Sequence, residues 1–187
     1  MFIVLVLVPV AIATRVPLKA FAKQVRASAL LAFSTASSEA ALPGAMQAME
    51  KLGVPKRIVA FVMPTGYSFN LDGSTLYLAV ASIFVAQAAH IELDIRTQLL
   101  MMLTLMLTSK GVAAVPRASL VILSGALTQF GLPLEGVALI LGVDAVMDMA
   151  RTSVNLVGNC LATVVMARWE GEFDDGAAAA VLQAQPA

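Results

Sequence analysis

Charge is scarce in this sequence. Asp, Glu, Lys and Arg make up 13% of its 187 residues, about half the share that a soluble domain of this length carries. The twelve basic residues balance twelve acidic ones. They do not gather on one helix with the aromatics, which are only 6% of the chain, and this excludes a nucleic-acid partner. Cysteine is down to one, Cys160, so there is no internal disulfide; a small residue at a helix contact is its simplest role. No nucleophile–base pair or metal-ligand cluster stands out, which argues against an enzyme and against a cofactor. The methionines are expected to pack rather than to bind metal, and His90 to sit at an interface.

What the chain has instead is apolar sequence in long blocks. Hydrophobic residues make up 59% and the mean hydropathy is +0.87. This predicts an all-α integral membrane protein in contact with the lipid bilayer. The first fifteen residues, MFIVLVLVPVAIATR, lack a leading positive charge and are short for a span, so they read as the end of a transmembrane helix rather than a signal peptide. On that reading the chain is a C-terminal part of a longer protein.

Two basic clusters set an expected topology. Arg15, Lys19, Lys23 and Arg26 form one; Lys51, Lys56 and Arg57 form the other. Both belong in the cytoplasm by the positive-inside tendency. The sequence between them is too short for two crossings of roughly 20 residues, so it predicts a re-entrant hairpin over 27–49. Its tip is expected at Ser37 to Pro43, where small and polar residues and a proline break the helix. A second long apolar block, 58–91, carries one charge, Asp72, within Asn70-Leu71-Asp72-Gly73-Ser74. These residue types favour turns, so a helix broken at mid-membrane is expected. Residues 97–134 predict a second hairpin, interrupted at Ser109 to Arg117. A final helix over 136–169 ends at Arg168-Trp169, a plausible interfacial anchor. The remaining divisions are a truncated helix and basic cytoplasmic segment at 1–26 and a cytoplasmic tail at 170–187. That tail, acidic and then rich in Ala and Gln, is expected to be disordered. Hairpin, broken helix, hairpin and helix, entered from opposite faces, make an inverted repeat over 27–169, the arrangement by which secondary transporters hold substrate at mid-membrane.

The last helix carries the most informative pattern. Asp144, Asp148, Arg151, Thr152, Asn155 and Asn159 fall within an arc of roughly 100° at 3.6 residues per turn. Ionisable groups at bilayer depth are costly and normally face a bundle interior or a water path. An acidic, basic and amide stripe there predicts a site for a charged solute. Asp148 and Arg151 are also spaced for a structural ion pair. Glu39 can be read as a helix-start charge, and Asp144 as either cation-linked or structural.

Ser37-Ser38-Glu39 with Leu42-Pro43, PTGYSFNLDGS at Pro64 to Ser74, SKGVAAVP at Ser109 to Pro116 and DAVMDMARTSVNLVGN at Asp144 to Asn159 resemble the dicarboxylate/amino acid:cation symporter family. That family includes the glutamate transporters, and the look-alikes are the bacterial proton/glutamate symporters. The resemblance covers about Arg15 to Trp169 and implies symport of glutamate or aspartate with a cation across the cytoplasmic (inner) membrane of a bacterium. It implies multi-pass topology, an elevator-like movement against N-terminal scaffold helices outside this sequence, and a homotrimer. Arg151 would pair with the substrate's side-chain carboxylate and Asp148 with its ammonium. Thr152 and Asn155 would touch the amino-acid part, and backbone at Ser37, Ser38 and Val115 its α-carboxylate. Glu39, Asn70, Asp72, Asp144, Asn155 and Asn159 would be cation-linked, with sodium at Asp72 and Asn155 as one form. Sodium-coupled relatives often carry Asp at the position of Asn159 and Met at that of Leu71, so the proton is the expected coupling cation. Archaeal relatives have a second Arg at the position of Ala36, and others near Met149. Arg117 and Ala114 stand where Gly is usual. A C4-dicarboxylate symporter and a truncated, non-transporting membrane module are the alternatives.

Overall fold

The computed structural model describes residues 1–69, 71–109 and 118–184. Among the described residues the chain is all helix and turn. A π-helical turn, Ile3–Leu7, runs into α1, Val8–Ala13. Then follow α2 (Leu18–Thr35), α3 (Ser38–Leu52), α4 (Lys56–Phe69), α5 (Asp72–Ala88), α6 (Ile95–Thr108), α7 (Ala118–Gln129), α8 (Glu135–Trp169) and α9 (Asp175–Gln183).

The helices α2 and α3 form an antiparallel pair joined by two residues. Ala36 takes the left-handed conformation (φ 48°) and ends α2. Ser37 is extended, and its hydroxyl accepts the backbone N–H of Ala40, the usual way a helix N-terminus is closed. The break is therefore at Ala36-Ser37, and the expected interruption at Pro43 does not occur: Pro43 lies inside α3. Its missing N–H affects the carbonyl four residues back, at Glu39, which is exposed and so is not a buried, unsatisfied group. The other arm is longer than the sequence pattern implied. It begins at Leu18 because Ala20, Phe21, Val25, Ser28 and Ala32 make one buried stripe, which leaves exposed Lys19 and Arg26 on α2's remaining surface. α3 ends at Gly53, whose φ of 104° suits only glycine well; its N–H and that of Val54 return to Glu50 and Met49 carbonyls.

α4 and α5 flank the expected break in the second apolar block, with Asn70 itself outside the described residues. By length and composition the stretch Lys56–Ala88 could cross a membrane; Ile95–Thr108 and Ser119–Gln129 are apolar but shorter. At 1.5 Å per residue, α6 and α7 fall short of a roughly 30 Å hydrocarbon layer. The interruption expected at Ser109 to Arg117 lies, beyond Ser109, outside the described residues.

α8 is the axis of the molecule. Its 35 residues span about 52 Å and it packs against α2, α3, α4 and α5. Two separate hydrophobic clusters form along it. One gathers α2, α3, α4, α9 and the C-terminal half of α8 around Met49, Leu52, Val59, Met63, Leu156 and Val164. The other gathers α5, α6, α7 and the N-terminal part of α8 around Leu78, Val85, Met101, Leu105, Leu123 and Ile140. Cys160 is buried in the first cluster, as a small packing residue.

The tail corrects the sequence reading. Residues 175–183 are helical, not disordered. Asp174 accepts the N–H groups of Gly176 and Ala177, and Ala178 and Val181 are buried in the first cluster. Nine residues are too few for a stable isolated helix, so docking supplies the order.

Candidate functional site

The polar stripe of α8 faces inward along its whole length. Asp144, Asp148, Arg151, Thr152, Asn155 and Asn159 are all buried, none more than 8% exposed. Asp144 to Asn155 lie between Ile140 of one apolar cluster and Leu156 of the other, and Asn159 lies within the first cluster's stretch of α8. Burying this much polarity is costly unless each group finds a partner. The partners come from α8 itself and from α4 and α5.

Arg151 is the centre. Its Nε donates to Asp148 Oδ1 at 2.9 Å and its Nη1 to Asp144 Oδ1 at 3.3 Å. Tyr77 of α5 donates to the same Asp144 oxygen at 2.8 Å. Its ring also lies against the guanidinium, 4.3 Å from Cζ to the centroid, a favourable cation–π contact. Nη2 lies 2.8 Å from Asp148 Oδ1 as an ion pair, and this buried corner of the guanidinium makes no hydrogen bond among the described residues.

Asn155 closes the N-terminus of α5 from another helix. Leu71, the residue before α5, supplies no side-chain cap. Asn155 Oδ1 instead accepts Gly73 N–H at 2.7 Å and Ser74 N–H at 3.3 Å, and its Nδ2 donates to Ser74 Oγ at 3.0 Å. The first turn of a helix leaves N–H groups without intrahelical partners, and an acceptor there meets that need. Asp72, half-buried in the same first turn, lies at the favourable end of the helix dipole. Asn159 donates from Nδ2 to the Met63 carbonyl at 2.8 Å, while its buried Oδ1 has no hydrogen-bond donor among the described residues.

Two glycines permit these approaches. A Cβ at Gly73 would lie 2.6 Å from the Arg151 carbonyl oxygen, and one at Gly66 would lie 1.8 Å from Asn159 Oδ1. Both belong to the PTGYSFNLDGS segment. A glycine inside a helical pattern is the available sequence signal for such contact. Tyr77 and Gly66 were not among the expected site residues, and both now take part.

The Ser37-Ser38 turn reaches the site region through Tyr67 of α4, whose hydroxyl donates to the Ser38 carbonyl. Ser37 and Ser38 are half-buried, and Glu39 is exposed in the first turn of α3. The position of Glu39 is that of a helix-start charge. At the other end, Thr75 Oγ1 meets Ser109 Oγ at 3.3 Å, joining α5 to the end of α6. Asn70, Val115, Lys110, Ala114 and Arg117 lie outside the described residues. His90 is exposed, in a left-handed conformation, beyond α5.

Two carboxylates outside the stripe are held by local hydrogen bonds. Asp94 caps α6 by accepting from Thr97, and these hydrogen bonds hold its carboxyl below the ordinary value. Asp175 is lowered likewise, by hydrogen bonding from Arg168.

Comparison with known proteins places the chain in a family. The profile of the sodium:dicarboxylate symporter family matches residues 1–169. The chain is 57% identical over 153 residues to a proton/sodium-glutamate symport protein of Bacillus subtilis, covering 82% of this chain and 36% of that protein. It is 56% identical over 145 residues to the proton/glutamate-aspartate symporter of Escherichia coli, covering 78% and 33%. A proton/sodium-glutamate symport protein of Bacillus caldotenax is 54% identical over 146 residues, covering 78% and 35%. The chain therefore spans about a third of the length of these relatives. These matches show that the chain belongs to the sodium:dicarboxylate symporter family, a family of membrane transporters rather than enzymes.

Proposed function

We propose that this chain holds the substrate and cation sites of a symporter for acidic amino acids, glutamate or aspartate. The observation that carries this reading is the buried Arg151 guanidinium, ion-paired to Asp148 and Asp144, with one corner that makes no hydrogen bond among the described residues. A planar guanidinium is suited to bidentate carboxylate binding. The substrate's side-chain carboxylate takes that corner, and its ammonium takes Asp148. An amino acid of this kind inserts into an existing ion pair and gives each member a new partner, which limits the cost of rearranging buried charge. A C4-dicarboxylate has no ammonium for Asp148, which favours the amino acid. Thr152 and Asn155 contact the amino-acid part. Backbone at Ser37-Ser38 and at Val115, the latter outside the described residues, binds the α-carboxylate.

The coupling cation is the proton in this reading. Asn159 and Leu71 stand where sodium-coupled relatives often have other ligands, and Asp72 and Asp144 supply carboxylates. Sodium is the second reading, and one observation favours it: the buried Asn159 Oδ1 has no donor among the described residues, as an oxygen ligand to a cation would. Asn70, Asp72 and Asn155 would complete such a site.

The reading extends to the bilayer. The pairs α2–α3 and α6–α7 are re-entrant hairpins of an inverted repeat, consistent with the short apolar α6 and α7. The protein resides in a bacterial inner membrane, and the assembled transporter is a homotrimer with scaffold helices beyond this sequence. Glutamate uptake by the full-length protein in liposomes, driven first by a pH gradient without sodium and then by a sodium gradient at matched pH, tests the cation. Uptake that ignores the pH gradient makes sodium the coupling ion. Arg151→Cys tests the site: acidic amino acids are lost, while undiminished glutamate uptake would overturn the assignment.

A further inference from the structure

The chain does not simply stop after α8. It turns at Gly171 (φ 71°) and lays α9 across α2 and α3, using unlike contacts to several elements. Asp174 N–H donates to the Gly53 carbonyl at 2.9 Å. A Cβ on Gly53 would lie 2.4 Å from the Asp174 carbonyl oxygen, so glycine is what admits this approach. Arg57 of α4 grips Glu172 through Nε and Nη2. Lys23 of α2 donates to the carbonyls of Val181 and Ala184 at 2.8 and 2.6 Å, meeting both the unsatisfied carbonyls and the negative end of the α9 dipole. Arg168 of α8 forks onto Asp175 at 2.9 and 2.6 Å and covers the Phe173 ring at 4.2 Å. Beneath them Ala178 and Val181 are buried among the residues of the first cluster.

Exposed ion pairs contribute little singly. Here they are joined to buried side chains, a backbone bond across a glycine and a filled helix C-terminus. Their hydrogen bonds and ion pairs reach the α2–α3–α4 side and the end of α8. Among the described residues none of these reaches α5, α6 or α7.

We propose that residues 170–184 form a strap that binds the base of the α2–α3 pair to the end of α8. The Ser37-Ser38 turn lies at the far end of α2, about 27 Å from its start. A rigid pair fixed at its base holds that turn steady against Tyr67 of α4; a pair loosened at its base does not. The strap is thus a stiffening device for the first helical pair, separate from the second cluster.

Hydrogen exchange on the full-length protein in lipid nanodiscs tests this, because amide protection reports local opening. One variant ends at Gly171. A second, Ala178→Asp, keeps the chain intact and places a charge at a buried contact. In both, amides of residues 18–52 should exchange at least about tenfold faster while those of 72–109 and 118–129 keep their rates. Unchanged exchange over 18–52 in both variants overturns the proposal. So does an equal rise across α5 to α7, which would mark general destabilisation rather than a local clamp.

Discussion

Gly73→Ala is the smallest change that should damage the site without touching a polar side chain. Gly73 packs onto backbone, not onto a side chain that could turn aside. Its added Cβ would lie 2.6 Å from the Arg151 carbonyl oxygen, 3.0 Å from Arg151 Cα and 3.2 Å from its carbonyl carbon, where ordinary contact begins near 3.4 Å. The start of α5 must retreat by about 0.8 Å from the oxygen. Moved directly away from α8, that would stretch the 2.7 Å bond from Gly73 N–H to Asn155 Oδ1 toward 3.5 Å, beyond useful hydrogen-bond length. Overpacking costs roughly 1–3 kcal/mol, and loss of a helix N-cap roughly 0.5–2 kcal/mol. The expected destabilisation is therefore about 2–4 kcal/mol, less than a full sum because one displacement causes both. Gly-to-Ala inside a helix would otherwise stabilise by about 0.5–1 kcal/mol, so even the sign separates the two accounts. The assay is reversible denaturant unfolding of the protein in mixed micelles, for the native sequence, Gly73→Ala, Asn155→Ala and the double variant. The substitution at Gly73 should cost less when Asn155 is already Ala. A neutral or stabilising Gly73→Ala would refute the close approach of α5 to α8.

Gly66→Ala should also destabilise, by roughly 1–3 kcal/mol. Its Cβ meets a side-chain amide, so Asn159→Ala should rescue it in the same unfolding assay. Asp148→Asn should weaken glutamate binding far more than succinate binding, since only the former brings an ammonium; calorimetry showing equal losses would make Asp148 a structural partner of Arg151. The Arg168–Asp175 contact should persist well into acid. Hydrogen bonding from Arg168 holds the Asp175 carboxyl below its ordinary 3.8, so its contribution is complete above that value and is lost as pH falls through the lowered one. Carbon-13 titration of Asp175 that gives a midpoint at or above 3.8 would contradict the contact.

The helix spacing of six polar residues in an apolar run was enough to place Asp144 through Asn159 on one face, and burial of all six agrees with it. What covers that face was not legible. Tyr77 and Asp144 are 67 residues apart, Gly73 and Asn155 are 82, and Asn159 and Met63 are 96. No local periodicity encodes such pairings. The glycines at 66 and 73 signal close approach but not its object. Pro43 was read as a breaker from its propensity, yet it lies within α3, where the residue four back, Glu39, is exposed. The tail was read as disordered from composition, and it is ordered because Gly53, Arg57, Lys23 and Arg168 lie where it can dock.

The sequence by itself determined the class of protein, the helical run of each apolar block and the inward stripe of α8, because composition, length and a 3.6-residue period act locally. Tertiary structure decided which helix caps which, that Glu39 faces outward, that Arg151 is shared by two aspartates under a tyrosine, and that a nine-residue tail becomes a helix. Those outcomes depend on groups brought together from distant parts of the chain. Their energies arise only once burial has removed water as the competing partner.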